Sequence, residues 1–217
     1  MDWTVVSRNM DFLLGGLGVT FQLAAISLAG GVLFGILLGL ARISSKRCIS
    51  CPATLYIHFF RSQPLILVIF WFYFFVPVLF GKPMGTFISA VIGFIAFEAA
   101  YFAEIIRGGI QSIPKGQVLA AYSTGMKYHQ VMRYIVLPQA LKNMLPALMT
   151  QSIVLFQDTS LAYVIGLREF LRRISLVDSR EVRSIELYFF AALVYLVICL
   201  SMSLLVRRFE HKAHQSV

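Results

Sequence analysis

An all-α membrane protein with about five transmembrane helices is the fold this sequence predicts, and three observations carry the prediction. Hydrophobic residues fill 59% of the 217 positions and charged residues only 13%, well beyond the balance of a soluble domain. Phe12 to Ala41, Ser62 to Gly81 and Leu187 to Val206 contain no Asp, Glu, Lys or Arg, and a helix of about 20 apolar residues crosses a hydrocarbon core. The 19 Phe residues exclude a disordered or collagen-like chain, which could not keep so much apolar surface in water.

Taken in order, the spans are expected at 14–41, 60–81, 84–106, 143–166 and 187–206, within a single membrane domain over 1–217. Asp2, Asp11 and the single Arg8 precede the first span and no small-residue cleavage site follows it, so no cleaved signal peptide is expected. Gly31, Gly35 and Gly39 recur every four residues within it and line one helical face, which lets another backbone come close. Whether that partner lies in this chain stays open. In the second span, Arg61 comes three residues before Pro64, able to anchor the helix by snorkelling to lipid phosphate or to contact a substrate. Pro83 to Ala103 contains only Glu98, and Asn143 to Leu167 only Asp158; both still count as spans.

Five crossings put the two ends on opposite sides. With the C-terminus inside, the inner segments carry 11 Lys and Arg and the outer ones 7, the sense of the positive-inside bias. The N-terminus is then outside and the C-terminus cytoplasmic. The discordant outer segment, 168–186, mixes five arginines with Glu169, Asp178, Glu181 and Glu186 and is expected to form an amphipathic outer element. The net charge of +9 follows from these short basic segments, which form no aromatic-interleaved patch, so no nucleic-acid partner is expected.

Cys48 and Cys51 form a C-x-x-C with His58 seven residues further on. Three local candidates fall short of the four ligands of structural zinc, so no metal site is expected. H-E-x-x-H, G-x-S-x-G and paired-His constellations are missing from the sequence, which excludes their chemistries. The chain reads as a non-enzyme.

Between the third and fourth spans lies a segment too polar for lipid and too apolar for a simple linker, so it must pack on something. Pro114 and Gly116 break the preceding helix, Gln117 to Thr124 can form a short helix, and Gly125 can take the left-handed conformation that ends it. A second short helix then runs to Pro138. Ala120 and Ala121 offer almost no side chain, while Tyr122, Met126, Tyr128 and Met132 supply adaptable apolar contacts. A docking element and a self-packed re-entrant loop both fit this composition.

Ala120-Ala121, three residues, Gly125, nine residues, then Ile135-x-Leu137-Pro138 resembles the EAA loop of ABC importer permeases, EAA-x3-G-x9-I-x-LP. The Glu of that pattern falls on Leu119, so whatever polar contact it makes with the ATPase should be missing. FRSQPL (Phe60 to Leu65), AAYFAEIIRGGIQSI (Ala99 to Ile113), LPQAL (Leu137 to Leu141) and QDTSLAYVIGL (Gln157 to Leu167) extend the resemblance over residues 12 to 206. They are similar to polar-amino-acid permeases of the histidine-permease group, most of all to the smaller permease subunit of glutamate/aspartate systems.

The resemblance implies a type I ABC importer permease fold in a bacterial inner membrane, with a cytoplasmic coupling segment over 114–138. It also implies a second, related permease subunit, an ABC ATPase homodimer that binds ATP and Mg, and a periplasmic substrate-binding protein. The sequence agrees that the energy source is another chain, since it contains no G-x-x-x-x-G-K-[ST], and no cofactor is expected in this chain. Gln117, Leu119, Ala120, Ala121, Gly125, Ile135, Leu137 and Pro138 are the candidate ATPase-coupling residues. Importers of glutamine, histidine, arginine or cystine are alternatives, as is a self-contained secondary transporter.

Charges within spans are costly and usually face a bundle interior or water. Glu98, Glu104, Arg107, Gln157, Asp158, Thr159 and Ser160 are therefore the candidates for a translocation path or for polar contacts between helices. Glu104 and Arg107 can pair at i, i+3, as an ion pair or a gate, and Glu98 falls on a different helical face from Glu104. No lone Lys or Arg sits mid-span to meet an anionic substrate, so specificity is expected to lie mostly in the binding protein.

Overall fold

The computed structural model describes residues 2–82 and 84–214, with Phe80 and 209–214 as backbone only. Every regular element among them is helical. A short α1 (Thr4–Arg8) leads into α2 (Met10–Arg42), followed by α3 (Arg47–Arg61), α4 (Leu65–Phe70) and α5 (Val76–Phe80). The chain continues as α6 (Thr86–Gln111), α7 (Lys115–Ser123), α8 (Tyr128–Val131), α9 (Leu137–Asp158), α10 (Phe170–Glu181) and α11 (Ser184–His214).

The centre of the fold is the contact of α2 with α6, and the glycine stripe makes it. A Cβ built on Gly35 would sit 2.5 Å from the Phe102 Cβ and 3.2 Å from the Ala103 nitrogen. Only hydrogen fits there. Gly31 meets Glu98 and Phe102, and Gly39 meets Ala103 and Ile106, so the partner that the stripe accommodates belongs to this chain. Residue numbers rise together along the contact, so α2 and α6 run in the same direction and the chain must return between them.

The return is made in two pieces. α3 and Leu65–Leu79 meet at 106°, so the span expected at 60–81 is corrected: Phe60 and Arg61 end a separate helix, and the stretch 42–52, expected as a loop, is helical from Arg47. Pro64 lacks a backbone N–H and pushes Gln63 out of the helical region, which breaks the chain after Ser62. Beyond the break, Ile69 and Phe72 approach Gly93 of α6, and only five residues part the end of α5 from the start of α6, so α4–α5 runs against α6.

Residues 71–75 and 132–136 each form a π-helical turn, and each ends two residues before a proline, Pro77 and Pro138. The wider turn accommodates a ring that would otherwise collide with the carbonyl four residues back. The second short helix expected to stop at Pro138 therefore continues through it: α8, the π turn and α9 form one rod from Tyr128 to Asp158. α9 runs against α6, with Met144 beside Gly109 and Gln151 bonded to Glu98. It stops at Asp158, and Thr159–Ile165 continues as a 3-10 helix.

At the other end, the segment 168–186 contains α10, with Phe170, Ile174 and Val177 buried and its arginines around them. The Glu169 carboxylate caps it, accepting from the Leu171 (2.8 Å) and Arg172 (2.6 Å) backbone N–H groups. The Phe170 N–H donates to Thr20 Oγ1 at 3.1 Å, and Arg173 donates to the Phe12 carbonyl at 2.6 Å, which docks α10 on the first half of α2. α11 then lies against α9.

Among the described residues three helices, α2, α6 and Ser184–Arg208, are long and apolar enough to cross a membrane, or four spans if the bent α3–α4 pair is one. α9 is not among them, because Asn143, Thr150, Gln151 and Gln157 dilute its apolar surface. Gly35→Val should destabilise the protein by roughly 1–3 kcal/mol, read as a lower unfolding temperature in detergent. Gly18→Ala, where no atom lies within 4 Å of the added Cβ, should leave that temperature unchanged or raise it.

Candidate coupling segment and translocation path

Residues 112–138 fold into a compact element at the end where α6 stops. Ala121 of α7 is buried with Ile113, Val131, Val136 and Ala140 in a small apolar cluster. A left-handed turn closes α7. Gly125 has φ +82°, its N–H donates to the Tyr122 carbonyl at 3.0 Å, and the Met126 N–H reaches the Ala121 carbonyl at 3.4 Å. These are the two bonds of a Schellman motif, and the Met126 side chain packs on the same cluster as Ala121. Gly125 is the position where an L side chain would be strained, although nothing lies within 4 Å of its missing Cβ.

The motif residues divide by exposure. Ala121 is 7% exposed and serves the fold, whereas Leu119 is 63% exposed, with Gln117, Ala120, Gly125, Leu137 and Pro138 also at the surface. Gln117, Ala120, Thr124, Met126, Ile135 and Gln139 surround a surface hollow of about 520 Å³. Ala121 lines it as well, and the small side chains of Ala120 and Ala121 leave room for a partner side chain. Asn143 Nδ2 donates to Ser112 Oγ at 2.8 Å, tying the start of α9 to the exit of α6.

The charged candidates fall into two separate groups. Glu98 is completely buried; one oxygen accepts from Gln151 Nε2 at 3.0 Å, and the other has no partner among the described residues. Glu104 faces elsewhere. It pairs with Arg107, whose Nε donates at 3.1 Å, with Arg42, and with Arg61 at 3.8 Å. Glu104 and Arg107 thus form an ion pair within α6, and Glu104 also ties in Arg42 of α2 and Arg61 of α3.

The FQDTSL stretch is split as well. Gln157 is exposed and borders a cavity of about 630 Å³ between α9 and α11, together with Thr150, Tyr195 and Arg207. Asp158 and Ser160 are half-buried. Thr159 is fully buried and donates to the Phe156 carbonyl at 2.6 Å, so it serves packing within the chain.

Sequence reasoning missed Gln151, which lies seven residues before Asp158, two helical turns away on the same face, and so could have been found from spacing. It also missed Arg42, counted there only as a loop charge. Both gain their roles from other helices. Among the described residues no group of three or more His, Cys, Asp or Glu could hold a metal, and Cys48 and Cys51 are exposed free thiols.

Replacing Gln151 by Leu leaves the enclosed Glu98 carboxyl with no hydrogen bond and should cost about 1–3 kcal/mol, seen as a lower unfolding temperature. Glu98→Gln keeps an acceptor for Gln151 and should leave that temperature unchanged or raise it.

Comparison with known proteins gives these elements a family. Residues 31–215 match the family described as binding-protein-dependent transport system inner membrane component. The chain is 44% identical over 212 residues to the glutamate/aspartate import permease protein GltK of Escherichia coli O6:H1, covering 94% of this chain and 95% of that protein. It is 34% identical to the arginine transport system permease protein ArtQ of Bacillus subtilis, covering 98% and 97%. A solved amino acid ABC transporter crystallised with histidines superposes with TM-score 0.93 at 33% identity, over 98% of this chain and 99% of that one. The MetNI methionine ABC transporter superposes at 0.78 with 17% identity, over 95% and 98%, which shows the shared fold. This chain belongs to the family of binding-protein-dependent transport system inner membrane components.

Proposed function

We propose that the chain is a transmembrane subunit of an ATP-driven importer for glutamate and aspartate in a bacterial inner membrane, working with a separate ABC ATPase dimer, a related permease and a periplasmic binding protein. For the cargo, the observation that carries the reading is the 44% identity to GltK, against 34% to ArtQ and 33% to the glutamine permease GlnP of Escherichia coli.

Five crossings, with the N-terminus outside and the C-terminus cytoplasmic, complete this reading. The contact pairs support it, because α2, α4–α5, α6, α9 and α11 alternate in direction. α9 is less apolar than its neighbours, as befits a helix whose polar face meets an aqueous path or a partner permease rather than lipid.

The segment 114–138 is the ATPase contact. Gln117, Ala120, Ile135 and neighbouring residues form the receiving hollow, while Gly125 fixes where α7 ends. Leu119 replaces the acid of the family motif with an exposed apolar side chain, so that contact is apolar in this protein. The continuous helical stretch from Tyr128 to Asp158, with Pro146 inside α9, links the hollow to Glu98, Gln151, Gln157 and Asp158, so a push at α7–α8 is passed along it towards the middle of the bundle.

Gly125→Val places a β-branched residue at a left-handed position at about 1–2 kcal/mol, so ATPase co-purification and labelled glutamate uptake should fall roughly tenfold. Gly125→Asn, which tolerates that conformation, should retain both. Equal behaviour of the two variants would show that the turn geometry does not matter for coupling. Uptake of arginine or glutamine, with glutamate and aspartate ignored, would keep the importer and replace its cargo.

A further inference from the structure

Charge does not balance around Glu104. One carboxylate faces the guanidinium groups of Arg42, Arg61 and Arg107, which leaves two positive charges over. Asp2, Asp11, Glu169, Asp178, Glu181 and Glu186 belong to the opposite end of the molecule, where α10 docks on the start of α2. Glu98 is turned to Gln151, and Asp158 lies two turns further along α9, away from the cluster. No other described acid side chain can compensate it.

The surplus is held partly out of water. The side chains of Arg42, Arg61 and Arg107 are 16%, 39% and 28% exposed, and unpaired charge in such surroundings is costly. Arg61 is the least committed of the three. Its ion pair at 3.8 Å is beyond hydrogen-bond reach, and its remaining contact is the Tyr101 ring, 5.4 Å from the guanidinium carbon. Its N–H donors are available to another acceptor.

The geometry of α3 narrows what that acceptor can be. Arg47, Cys51, Thr54, His58 and Arg61 are spaced four, three, four and three apart, so they share one helical stripe. A hollow of about 460 Å³ runs along it, lined by Arg47, Cys51, Thr54, Leu55 and His58 among others. The neighbouring face exposes Ile49, Leu55 and Phe59, and Lys46 and Arg47 sit at the helix start. An amphipathic helix with a basic end and an apolar groove lies naturally at the headgroup level of a bilayer, and anionic headgroups collect at basic pockets between helices.

We propose that the Arg42–Arg61–Arg107 cluster binds the phosphate of an anionic phospholipid, with an acyl chain lying along the α3 hollow. The lipid supplies negative charge that no other described acid side chain brings to this point. The site is independent of the cargo and stands whether or not glutamate is transported.

The test uses the permease co-purified with its partner subunits, in nanodiscs of phosphatidylcholine containing phosphatidylglycerol, with retained lipid measured by native mass spectrometry. Wild type should retain phosphatidylglycerol over phosphatidylcholine, and Arg61→Gln or Arg107→Gln should each reduce that preference about fivefold. Glu104→Gln breaks the ion pairs but increases the positive surplus, so it should hold the lipid as well as wild type or better. Arg168→Gln, at the far end, should change nothing. The proposal is overturned if wild type shows no preference, if Glu104→Gln loses the lipid as Arg61→Gln does, or if Arg168→Gln loses it. Release of the lipid by excess inorganic phosphate or glutamate would also overturn it, by assigning the cluster to a free anion.

Discussion

The backbone-to-backbone contact of α2 with α6 is the constraint on which the rest of the structure depends. Gly31, Gly35 and Gly39 remove the side chains that would hold the two helices apart, and at Gly35 the space is already taken by Phe102 and Ala103. Two neighbouring helices that run the same way need a return path of comparable length. α3 to α5 supply it, and the bend at Ser62–Pro64 follows from fitting that path beside α6. The same geometry gathers Arg42, Arg61 and Glu104 from three helices into one cluster.

Proline placement then decides which parts bend and which stay straight. Pro64 follows directly on the break and marks a sharp turn of 106°. Pro77 and Pro138 follow π turns that absorb their rings, so the helix continues past both. The second case matters for function, because a helix ending at Pro138 would place a hinge between the α7–α8 element and the bundle. The observed rod runs through Pro138 with one wider turn and through Pro146, which sits inside α9 and removes one further hydrogen bond of the helix ladder.

Much of this was legible in the chain because apolar run length and motif spacing are local properties. The three uncharged runs became α2, the α4–α5 stretch and α11, and the left-handed turn at Gly125 followed from a glycine at the end of a short helical stretch. The start of the second span was misplaced, since uncharged composition runs smoothly across Ser62 to Gly81 while the backbone turns at Pro64. The helix through Pro138 was misjudged because a proline reads as a stop unless the preceding turn can widen, which depends on tertiary packing. Of the polar candidates, the Glu104–Arg107 pair was visible from its spacing. The pairing of Glu98 with Gln151 and the approach of Arg42 and Arg61 to Glu104 join residues 43 to 62 positions apart, for which one sequence holds no local mark.

The account makes the Tyr128–Asp158 rod the element that carries motion from the ATPase contact to the polar residues of the bundle. The direct test is a pair of spin-label distances in the assembled importer, measured with and without ATP. One pair spans the rod, at the exposed His129 and Gln157, and the other joins His129 to the exposed Leu33 on α2. The prediction is a His129–Gln157 distance that stays constant while His129–Leu33 shifts. A changing His129–Gln157 distance would mean that the helix flexes, at residues 132–136 or at Pro146, and that the rod is not a lever. No change in either distance would place the ATP-driven motion outside this subunit.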